Sequence, residues 1–145
     1  MNQYMENDEL IQKVLSSIVS LSRRKTTESH AVYVMDSVLE KLKERHPLLE
    51  HVEVQDTTYL EEGKPVTIMT DVNTIPKQEV AQALQDVIML TNTSLGRDAG
   101  YFFLKELSRL MGDNYISEMK DIGIDLNLMQ LEQQIKEMEK TVMKE

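Results

Sequence analysis

The sequence predicts a mainly α-helical domain, about five to six helices with one embedded β-hairpin, and three observations carry that prediction. Apolar residues recur at steps of three and four along most of the chain. Alternation of period two occurs in one stretch alone, "HVEVQDTTYLEEGKPVTIMTDV". The two strands in it are too few to alternate with helices as a βαβ fold requires. At 145 residues the chain is long enough for a single domain with its own core. Residues 1–7 read as a flexible N-terminal segment and residues 125–143 as a terminal amphipathic helix.

The first helix is expected over residues 8–23. Ile11, Val14, Leu15, Ile18 and Leu21 form its stripe, and Asn7 or Asp8 caps its first amides. Ser16, Ser17 and Ser20 fall largely on the opposite face. The second helix runs from about Thr27 to Arg45, with Thr26 or Thr27 as N-cap and Ala31, Met35, Val38 and Leu42 inward. It stops at His46-Pro47, because the residue before a proline is pushed out of the helical region. The hairpin then pairs residues 51–56 with 65–72, around a turn near Glu62-Gly63. Two strands are marginal alone, so the pair must lie on helices or on a second copy.

Pro76 suits the start of a third helix carrying Val80, Ala83, Leu84, Val87, Ile88 and Thr91. A fourth begins at Asp98 or Ala99, buries Phe103, Leu104, Leu107, Leu110 and Met111, and stops at Gly112. Asp113 caps a short fifth helix that Gly123 ends, and the last helix starts at Asp125 or Asn127. No internal repeat or low-complexity segment interrupts this order.

Composition narrows the chemistry. There is no cysteine, which removes disulfides, thiolate zinc sites and cysteine nucleophiles. The formal net charge of −9 disfavours nucleic acid and anionic membranes as partners. The one basic cluster, Arg23 to Lys25, sits at a helix end, where it complements the macrodipole. No apolar run approaches the ~18 residues of a membrane span. The start, "MNQYMENDEL", is polar and acidic, unlike a signal peptide, so the expected location is cytoplasmic.

The glycines of "SLGRDAG" raise the question of a phosphate loop. The stretch follows a helical pattern instead of a strand, lacks the Gly-Lys-Ser/Thr ending, and is one glycine short of G-x-G-x-x-G. Gly96 and Gly100 are one turn apart, so close packing or a helix break is the expected role. "HPLLEHVE" holds His46, Glu50, His51 and Glu53, yet Pro47 breaks the helix that metal spacing needs, and a solvated edge is expected. Ser29 and His30 are adjacent, with no G-x-S-x-G. Glu61-Glu62 and Asp121 with Asp125 fit turns and helix ends. No catalytic, metal-binding or cofactor-binding residue is assigned, and a non-enzymatic protein is expected.

The most specific pattern is in the last helix. Ile124, Leu128, Leu131, Ile135, Met138 and Val142 follow steps of four, three, four, three and four. That is a heptad stripe with Leu128, Ile135 and Val142 at a and Leu131 and Met138 at d. It is narrower than the face of a helix buried in a globular core. Leu128, Leu131, Ile135 and Met138 are therefore the candidate interface, within the chain, in a homodimer or with a different partner. The expected function is a self-associating interaction or signalling module, with a further protein partner possible. The alternative is a sensory domain that binds a small molecule between hairpin and helices, lined by Tyr33, Met69, Met89, Tyr101 and Phe102.

Overall fold

Both sides of the first helix are apolar, and it becomes the centre of the molecule. The computed structural model describes residues 5–57, 65–94 and 97–143. Helix α1 (Asn7–Lys25) buries Leu10, Ile11, Val14, Leu15, Ile18, Val19 and Leu21. Ser17 is buried with them, contrary to its expected place on the outer face; its small side chain suits a crowded central helix. Helix α1 packs against α2 (Glu28–Leu42), α3 (Lys77–Ser94) and α4 (Arg97–Met111). Helix α5 (Asp113–Asp121) and helix α6 (Leu126–Met143) are attached to this group through α4.

The N-terminus of α1 is capped from a distance. Of the two expected local caps, Asp8 Oδ1 accepts from the adjacent Glu9 amide at 2.8 Å, while the Asn7 side-chain amide donates instead to the carbonyls of Val72 and Ile75, at 2.7 and 2.8 Å. The cap for α1 comes from Asn73, whose Oδ1 accepts from the Asp8 amide at 2.8 Å. Asn7 is consequently buried, with no part in a loose lead segment. At α2 the local rule holds: Thr27 Oγ1 accepts from the His30 amide at 3.1 Å. Arg23 at the end of α1 pairs with Glu28 across the turn, at 3.4 Å.

The hairpin forms where alternation placed it. Strand β1 (Val52–Val54) pairs antiparallel with β2 (Val66–Ile68), with Val52 opposite Ile68 and Val54 opposite Val66. Its buried face carries Val52 and Val66, and it lies on α1 and α2. The turn at Glu62-Gly63 lies outside the described residues. The second strand is shorter than expected, because Thr70–Thr74 wind into a 3-10 turn. That turn drives Val72 fully into the core and delivers the carbonyls that Asn7 binds. The fold is thus mainly α with one two-stranded hairpin.

Candidate functional site

Two glycines aim the terminal helix. Gly112, at φ 86°, ends α4, and its amide donates to the Ser108 carbonyl at 3.2 Å. Gly112 also occupies the N-cap position of α5, which shifts the cap one residue from the Asp113 expected there. Gly123, at φ 104°, closes α5 in a Schellman motif. Its amide donates to Lys120 at 3.1 Å, and the Ile124 amide donates to Met119 at 2.8 Å. The hydrophobic contact that accompanies this motif is available, since Met119 and Ile124 are both buried. Asp125 then caps α6, its Oδ1 accepting from the Leu128 amide at 3.1 Å.

This closure fixes which side of α6 meets the protein. Ile124 lies just before the helix and belongs to the core, so it leaves the stripe. Leu126 and Met129 follow it into the core and hold α6 against α4. Further along, the inner side is polar: Gln130, Gln133 and Glu137 are half-buried. At 100° per residue the heptad stripe projects from nearly the opposite side. Its members are exposed by 51% at Leu128, 52% at Leu131, 46% at Ile135 and 68% at Met138. The stripe therefore does not close the chain's own core. The side chain of Val142 lies outside the described residues.

The remaining candidates do not assemble into a second site. Gly96 lies outside the described residues, and Gly100 falls in the first turn of α4, its surroundings likewise undescribed. Of the proposed lining residues, Tyr33, Met69 and Phe102 are exposed and Met89 is half-buried. The Tyr101 side chain is outside the description. His46 is not on a solvated edge as expected. It is buried, and its Nε2 lies 2.6 Å from Asp86 Oδ2, which joins the segment after α2 to α3. Asp86 also receives Arg45 at 3.5 Å. Ser29 Oγ donates to Asp56, while the amide and hydroxyl of Thr57 donate to Glu28 at 2.8 and 2.9 Å. These contacts tie the segment after β1 to the start of α2. Among the described residues, no group of three or more His, Asp or Glu side chains is placed to hold a metal ion. No helix among them is long and apolar enough to cross a membrane.

The inner anchors Leu126 and Met129 escaped the sequence reading, because the heptad stripe dominates that segment. Their spacing of three, directly after Gly123-Ile124, was the available signal. No protein-family model matches the chain, and comparison with curated proteins and with solved structures likewise finds no match.

Proposed function

We propose that this chain is a non-enzymatic, cytoplasmic interaction or regulatory module that self-associates through the outer face of α6. One observation carries the proposal: the apolar stripe of Leu128, Leu131, Ile135 and Met138 faces away from a body that α6 already grips by its other side. A helix that needed only to complete its own domain would turn its apolar stripe inward and its amides outward. Here Gln130 and Gln133 take the inner side instead. A contiguous exposed apolar patch of this kind marks an interaction surface in soluble proteins. The stripe's heptad spacing suits knobs-into-holes packing against a like helix.

Sedimentation of the wild-type chain across micromolar to millimolar concentrations tests this reading. The expected result is a concentration-dependent rise from one chain to two. A single-chain mass throughout would overturn self-association.

A further inference from the structure

Taking the self-association of α6 as its starting point, we infer that the two helices pair parallel and in register. The direction is set by the residues that border the stripe. With Leu128 and Ile135 at a, the e positions are Glu132 and Glu139 and the g positions are Asn127 and Gln134. One border is thus wholly acidic, the other is neutral amide, and neither carries a lysine or arginine. Glu132, Glu139 and Asn127 are exposed and Gln134 is half-buried, so both borders lie beside the stripe at the surface.

The two possible directions bring different borders together. In a parallel pair, each g residue faces the following e residue of the other helix. Asn127 then meets Glu132 of the second copy, and Gln134 meets Glu139. An amide N–H donates to a carboxylate in each case, with no like charges opposed. In an antiparallel pair, e faces e and g faces g. Glu132 and Glu139 would then confront carboxylates of the second copy along the rim of an apolar seam, which is repulsive. The core agrees with two strands: within a parallel coiled coil, Ile135 at a beside Leu131 at d is the combination that favours two helices over three or four. Each body hangs from the side of its α6 remote from the stripe, so the bodies fall on opposite sides of the helix pair.

The chain's lack of cysteine makes the direction readable by cross-linking. Leu128→Cys and Met138→Cys are made as two separate variants, about 15 Å apart along the helix. Under mild oxidation, a parallel pair links each variant to its own copy, and a mixture yields no link between the two kinds. An antiparallel pair leaves each variant unlinked alone and links them only in the mixture, which overturns the inference. A second measurement leaves the apolar seam intact. Glu132→Lys with Glu139→Lys, mixed with wild type, gives heterodimers in statistical proportion if the helices are parallel. Strong heterodimer enrichment would show carboxylate facing lysine, and so an antiparallel pair. A wild-type chain that never dimerises refutes the proposed function. A dimer with the wrong cross-links refutes the direction alone.

Discussion

Placing opposite charges on the stripe, with Leu131→Glu and Ile135→Lys in one chain, should abolish the proposed dimer and spare the fold. Leu131 and Ile135 retain 52% and 46% of their surface exposed in the single chain. About half of their burial free energy therefore remains to be gained on association. Full burial of such a side chain contributes roughly 1.5–3 kcal/mol, so half is about 0.75–1.5 kcal/mol. Two residues in each of two copies make roughly 3–6 kcal/mol, or about two to four orders of magnitude in Kd. The single chain loses only the half already buried, about 0.75–1.5 kcal/mol for each residue, and should remain folded. The new pair is also spaced i, i+4 with glutamate first, the order that supports a helix. Sedimentation equilibrium should show one chain for the variant and two for the wild type if the proposal holds, and far-UV circular dichroism should be unchanged. Unaltered dimerisation would refute the seam. Loss of the helical spectrum would show that the stripe closes the chain's own core.

Three further outcomes test how the body is held. Asn7→Ala removes both donors to Val72 and Ile75 from a buried site and should cost roughly 1–3 kcal/mol in urea unfolding; an unchanged midpoint would deny that these bonds anchor α1. Gly123→Ala meets no atom within 4 Å, so its penalty is the strain at φ 104° alone. The loss should be about 1–2 kcal/mol, read as a lowered Tm, and an unchanged Tm contradicts the Schellman closure. The Tyr115 phenol is held above its ordinary range by burial, then by the charge of Glu9 and a hydrogen bond to it. The folded state thus keeps this proton more tightly than the unfolded one. The associated stability is complete below the unfolded value of about 10 and is lost as pH rises through the folded value. Thermal melts should fall more steeply above that pH for wild type than for Tyr115→Phe, and parallel curves would contradict it.

Legibility in the sequence followed the range of the interactions involved. Thr27 as a cap, Gly112 and Gly123 as stops, and the period-two alternation within each strand are settled within a few residues, and each was readable. Asn7 and Asp8 lie 65 residues from Val72 and Asn73 in sequence, and only the fold shows that one segment caps the other. Local alternation extended the second strand through Thr70 and Val72, while burial of Val72 in a 3-10 turn decided otherwise. His46 misled for a related reason: its neighbours are polar, but its partner is Asp86 on another helix. In the candidate site, the stripe could be read from its 4–3 spacing. Its outward direction could not, since a helical period carries no label for inside and outside.

That direction has a local cause in the structure. A Schellman closure at Gly123 places Ile124 on Met119, and Asp125 starts the helix one residue later. Once Ile124 is buried, the rotational phase of α6 is set, and Leu126 and Met129 come inward with it. The inner side beyond Met129 adds little apolar burial. Gln133 even buries a side-chain oxygen that has no hydrogen-bond partner among the described residues. Such an atom costs roughly 1–3 kcal/mol, which an inward-facing leucine at that place would avoid. The amides are therefore poor choices for fastening α6 to its own body. They are compatible with a helix fixed at its first turn, whose remaining length presents Leu131, Ile135 and Met138 outward. Rotating α6 by half a turn would bury the stripe, but it would break the phase imposed by Gly123 and Ile124. The turn of four residues between α5 and α6 thus decides whether the apolar pattern is turned toward the chain's own core or away from it.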